Sequence, residues 1–118
     1  MRTVFATLAA VLMIFGHANA EGERFGWDDG HFLVQMCEST NPEDGAYCHG
    51  YIVGVLDIQA EMPRLGMTGG EFEICLPENA SKDMMKNTVT QYLQKHPDKL
   101  QYSAPNLILE AVQLAFPC

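Results

Sequence analysis

The sequence has no Cys-x-x-Cys pair, no His-x-x-x-His pair and no glycine-rich phosphate-loop pattern; Gly69-Gly70 stands by itself. The first two absences argue against the common zinc-ligand spacings, and the third against a nucleotide-binding turn. Basic residues are scarce, with seven Lys+Arg against fifteen Asp+Glu. That balance makes nucleic acid and anionic lipid poor partners, while a basic protein partner is compatible with it. There is no internal repeat, no low-complexity tract and no sign of a second domain. A cysteine nucleophile needs an unpaired thiol beside a base, and the four cysteines here are better used as bridges. His31, His49 and His96 read as packed, capping or helix-end residues. The acidic pairs Asp28-Asp29 and Glu43-Asp44 read as solvated cap and turn residues. No catalytic residue, metal or cofactor is expected.

What is present begins with a targeting segment. Arg2 gives a positive start, and Val4 to Phe15 is an apolar run of about a dozen residues. Ala18 and Ala20 supply the small residues that a signal peptidase reads. The run is too short to span a bilayer, which needs about 20 apolar residues. Cleavage is expected after Ala20, leaving residues 21–118 as one exported domain with room for one modest core. Beyond residue 20 the formal charge is about −9, because Arg2 is lost and every acidic residue stays.

All four cysteines, Cys37, Cys48, Cys75 and Cys118, lie beyond the cleavage site. An even count in a small exported domain reads as two disulfides. Four cysteines allow three pairings. The favoured one joins Cys37 to Cys48 across the turn at Ser39–Gly45, and Cys75 to Cys118, stapling a long connection to the C-terminus. A bridge contributes about 2–4 kcal/mol, a large share of a small domain's stability.

Periodicity predicts an all-α fold: four helices, short turns and one longer connection. Asp28 or Asp29 can cap a first helix to about Cys37, with Phe32, Leu33 and Met36 inward. The central helix is expected over Tyr47–Met62, apolar almost all round and so buried in the bundle. In it, Tyr51, Val55, Ile58 and Met62 form a stripe flanked by Cys48, Ile52 and Leu56. Gly50 and Gly54 on one face would admit another backbone. Pro63 to Pro77 should be irregular. Ser81 can cap a third helix bearing Met85, Val89, Tyr92, Leu93 and His96, which Pro97 ends. After a polar loop over Asp98–Tyr102, Ser103 can cap a fourth helix burying Leu107, Ile108, Ala111, Val112 and Ala115. Trp27 is expected to act as a lid on the core.

Four motifs in order carry a resemblance. They are Cys48-His49-Gly50-Tyr51-Ile52-x-Gly54-Val55, Cys75-Leu76-Pro77, Tyr92-Leu93-x-x-His96-Pro97 and the terminal Ala115-Phe116-Pro117-Cys118. From about Phe32 to Cys118 the chain resembles the Rap/Tai immunity proteins of type VI secretion systems. The resemblance implies a small, helical, disulfide-containing periplasmic protein that binds and blocks an injected peptidoglycan amidase. It also implies a homodimer that clamps the amidase, with a loop plugging the enzyme's cleft. By resemblance that loop is His96 to Tyr102, and Lys95, His96, Asp98, Lys99, Gln101 and Tyr102 are its candidate contacts. Each motif also has a purely structural use, so the four support the fold more than the activity. A second reading, a periplasmic stress or chaperone-like protein, rests on Met36, Met62, Met67, Met84 and Met85 as adaptable apolar surface, and a third is a fold relative with another protein-binding role.

Overall fold

The computed structural model describes residues 27–67 and 73–118. The expected signal segment and its cleavage site at Ala18 and Ala20 lie outside the described residues. The fold is all-α: α1 (Gly30–Glu38), α2 (Pro42–Glu61), α3 (Lys82–Lys95) and α4 (Ala104–Ala115). The helices pack around one core, with α1 on α2 and α3 on α4 making the closest pairs. No described helix is long and apolar enough to cross a membrane.

The local chemistry explains where each helix starts. Asp29 caps α1 by accepting a 3.0 Å hydrogen bond from the Phe32 amide. Ser81 caps α3 by accepting from the Met84 amide at 3.1 Å. Both follow the usual logic of an N-cap side chain satisfying an orphan amide. α2 begins five residues earlier than the sequence suggests. Asn41 accepts from the Glu43 amide at 2.9 Å, and Pro42 occupies the first turn. Asn-Pro therefore starts this helix instead of breaking the chain, since proline lacks only an amide that would be unpaired there anyway. The turn shrinks to Ser39–Asn41, and Ser39 Oγ donates to Asp44 Oδ2 at 2.6 Å to close it.

The core is Leu33 from α1, Cys48 and Ile52 from α2, Met85, Val89, Tyr92 and Leu93 from α3, and Ala104, Leu107, Ile108, Ala111 and Val112 from α4, joined by Cys37. α2 is not buried all round. Its inward stripe is Cys48 and Ile52, flanked by the half-buried Tyr51, Val55 and Leu56. Ile58 is exposed, and a side chain added at Gly50 or Gly54 would meet nothing within 4 Å. The two glycines thus admit no neighbouring helix within the chain. Ala115 is also exposed, one position beyond the buried face of α4, and Trp27 stands fully in solvent instead of covering the core.

After α2 the chain makes a 3-10 turn over Met62–Leu65. Gly66 ends it at φ 76°, where its amide reaches the carbonyls of Met62 and Pro63. A left-handed residue at a helix end favours glycine because no Cβ clashes there. The connection then returns to the core through Ile74. Both expected disulfides are present: Cys37–Cys48 joins α1 to α2, and Cys75–Cys118 ties the connection to the C-terminus. Beside the second bridge, the Cys75 amide donates to the Phe116 carbonyl at 3.0 Å.

Candidate partner-binding loop

The segment between α3 and α4 is short, polar and held from several directions. His96 ends α3 with its amide on the Leu93 carbonyl at 3.2 Å. Pro97 then forces a new direction, because it cannot continue the hydrogen-bond ladder. A 3-10 turn over Pro97–Lys99 follows, with the Lys99 amide on the His96 carbonyl and the Tyr102 amide on the Lys99 carbonyl, both 3.0 Å.

The second set of ties runs to the start of α1. The Gly30 amide donates to the Tyr102 carbonyl at 3.0 Å, the His31 amide to the Leu100 carbonyl at 3.1 Å, and the Ala104 amide to the Asp28 carbonyl at 2.9 Å. The first amides of a helix have no intrahelical partners. Here those of α1 are satisfied by the loop, and the first amide of α4 by Asp28. That also corrects the expectation for Ser103: it occupies the N-cap position of α4, but its side chain makes no capping bond. Gly30 is required by this approach, since a Cβ on it would lie 2.6 Å from Leu107 Cδ1.

The third set is made by side chains. The His96 ring stacks on Tyr92 with centroids 4.1 Å apart, and its Nδ1 lies 2.8 Å from the Tyr92 carbonyl. The Lys99 ammonium pairs with Glu110 of α4 and donates to the Tyr92 hydroxyl of α3 at 3.2 Å. Hydrogen bonding to Glu110, and then to Tyr92, raises the Lys99 pKa well above its ordinary value. Burial works against the charge of Glu110, but hydrogen bonds from Lys99 and Tyr92 outweigh it and hold that carboxyl below its usual range. Burial pushes the Tyr92 hydroxyl up, with Lys99 opposing and Glu110 reinforcing the shift.

The six residues singled out in the sequence therefore divide. Lys95, Asp98, Gln101 and Tyr102 are exposed, Tyr102 at 53 %. His96 and Lys99 are engaged inside the protein. Glu110 was not singled out, and Asp28 was read only as a cap or solvated acid of the first helix; both prove central to holding the loop. The signal for Glu110 is only that it is polar and lies beside an apolar helix face. The angle between α3 and α4 decides that Glu110 meets Lys99.

An aromatic edge adjoins the same strap. Tyr47 donates to Asp28 Oδ2 at 2.8 Å, meets Phe32 edge-on at 5.5 Å and stacks on Tyr51 at 5.9 Å. The hydrogen bond to Asp28, with burial second, raises the Tyr47 pKa. Elsewhere, His49 Nε2 lies 3.1 Å from Asp83 Oδ1, within ion-pair range when the ring is protonated but not aligned as a hydrogen bond. Among the described residues no group of three or more His, Cys, Asp or Glu side chains could hold a metal ion.

Two comparisons with known proteins bear on this architecture. Residues 29–118 match the family model described as Rap1a immunity proteins, from the cap of α1 to the terminal cysteine. No curated protein matches the chain.

Proposed function

Because the chain belongs to the Rap1a immunity protein family, we propose that it is a periplasmic immunity protein that occludes a peptidoglycan amidase effector of a type VI secretion system. Membership supports the immunity role and a protein effector as its partner. The amidase, the periplasm and the signal peptide over residues 1–20 are parts of the proposal. Two disulfides fit an oxidising compartment outside the cytoplasm, which agrees with export ahead of a domain over residues 21–118.

The observation that carries the reading is the geometry of the loop from His96 to Tyr102. Binding orders side chains and loops at a cost of about 0.5–1.5 kcal/mol for each immobilised side chain. A loop already fixed by two helices and by main-chain bonds to α1 avoids much of that cost. Lys95, Asp98, Gln101 and Tyr102 are the residues it offers to a cleft. The role is inhibition by fit and not catalysis. The homodimer implied by the resemblance belongs to the same proposal. The open side of α2, bearing Gly50, Gly54 and Ile58, leaves room for a second copy, and sedimentation of the purified protein tests it.

The chaperone-like reading finds little support. Of its five methionines, Met85 is buried, Met36 and Met84 pack against the core, Met62 is half-buried and Met67 is exposed. Met67 is the one of the five that is exposed.

The direct test replaces Asp98, Gln101 and Tyr102 with alanine together. The expected result is lost protection of cells against a peptidoglycan amidase directed to their periplasm, with the helical fold intact by circular dichroism. Undiminished protection would rule this loop out as the inhibitory element.

A further inference from the structure

We propose that Lys99 is the latch of the loop: a positioning residue that fixes the loop's shape from within and does not contact the partner. The proposal rests on the reading of His96–Tyr102 as the inhibitory loop, and it divides that loop's side chains into those that hold and those that bind.

The geometry gives Lys99 a place that no other loop side chain has. From the middle of the turn its ammonium reaches two helices at once, pairing with Glu110 on α4 and donating to the Tyr92 hydroxyl on α3. The Tyr92 ring lies behind that hydroxyl, 5.9 Å from the nitrogen to the centroid, and the His96 ring that ends α3 stacks on it. The turn is thus bolted to both flanking helices through one cation. The next residue, Leu100, packs against the core. Asp98 on one side, and Gln101 and Tyr102 beyond Leu100, are exposed. A chain segment whose inward residues are Lys99 and Leu100 presents the others outward by construction.

An exposed ion pair contributes little, because water screens it and two long side chains must be ordered. This pair differs in two respects. Both side chains are about two-thirds covered, 32 % and 27 % exposed, and the acceptors sit on helices that are already fixed. The Tyr92 hydroxyl is carried on a buried ring and loses little freedom, so the ordering falls on Lys99 and Glu110. The energy therefore goes mainly into the conformation of the turn: the core meets the cation through the Tyr92 hydroxyl, and its other residues are apolar.

The experiment measures amide hydrogen exchange in the oxidised full domain, comparing Lys99→Met, Lys99→Arg and the parent. Methionine keeps the stem and removes the cation; arginine keeps the cation and supplies several donors on a planar fork. The reporting amides are those of Gly30, His31, Lys99, Tyr102 and Ala104, the donors of the loop's main-chain bonds. Lys99→Met is expected to speed their exchange about tenfold or more while core amides of α3 and α4 hold their rates, and Lys99→Arg to restore most of the protection. Unchanged exchange in Lys99→Met would overturn the latch, as would an equal rise in every helix. Inhibition of an amidase by the same variants separates this proposal from the one beneath it. A loosened loop with full inhibition leaves the latch standing and removes the loop as the inhibitory element. A tight loop with weakened inhibition makes Lys99 a contact and removes the latch.

Discussion

At Gly30 the fold comes too close for any side chain, because a Cβ there would lie 2.8 Å from Leu100 Cα and 2.9 Å from Leu100 O as well as against Leu107. Two of those neighbours are backbone and cannot swing aside. Gly30→Ala should therefore cost about 1–3 kcal/mol, read from the urea midpoint, and should loosen the loop as well as the core. Glu110 gives a prediction in pH. Its folded pKa is depressed by Lys99 and Tyr92 in spite of burial. The stability it contributes is present above the ordinary carboxylate value of 4.5 and is lost as pH falls through the lower folded value. Lys99 is raised, so its contribution is present below 10.5 and is lost as pH rises through the higher folded value. Between those limits Lys99 and Glu110 both keep their charges. The stability gap between the parent and Glu110→Gln should narrow as acid is added, and thermal melts at a series of pH values check it.

At the scale of elements, the caps separate what the sequence dictates from what packing dictates. Asn41→Ala removes a side chain that holds the Glu43 amide and should cost about 1 kcal/mol. Ser103→Ala should cost only a few tenths, because Ser103 makes no capping bond and the Asp28 carbonyl takes the Ala104 amide instead. Urea denaturation of the two variants side by side checks the contrast. Asp29 and Ser81 could be read as caps from the sequence because the acceptor and its amide lie three residues apart. The substitute cap from Asp28 could not, since it comes from 76 positions upstream. The inward stripes of α3 and α4 were likewise legible in their periodicity, apart from Ala115 at the frayed end. α2 was harder. Its uniform apolarity suggested burial on all sides, but three neighbouring helices cover only the Cys48–Ile52 side, and the opposite side lies open. In the loop, the sequence named Lys95, His96, Asp98, Lys99, Gln101 and Tyr102 together and could not separate the exposed four from His96 and Lys99. The inward turn of Lys99 depends on Glu110 across an interhelical angle that no local pattern encodes.

For the whole molecule, the two disulfides divide the stabilising task by loop length. In the chain-entropy picture a closed loop of 43 residues contributes about 4 kcal/mol and one of 11 about 3 kcal/mol. Replacing Cys75 and Cys118 with serine should therefore lower stability more than replacing Cys37 and Cys48, as measured by urea unfolding of the two oxidised double variants. The second bridge also anchors the end of α4, which carries Glu110, so its loss should loosen the loop at a distance. On the proposed reading, these features make a stiff scaffold that offers its target the turn between α3 and α4. The measurement that tests this most directly is the hydrogen-exchange footprint of a peptidoglycan amidase on the protein. Further slowing confined to residues 95–102 and the α1 amides tied to them is the predicted result. A footprint on the open side of α2 or on the connection near Met67, with the loop unchanged, would contradict it.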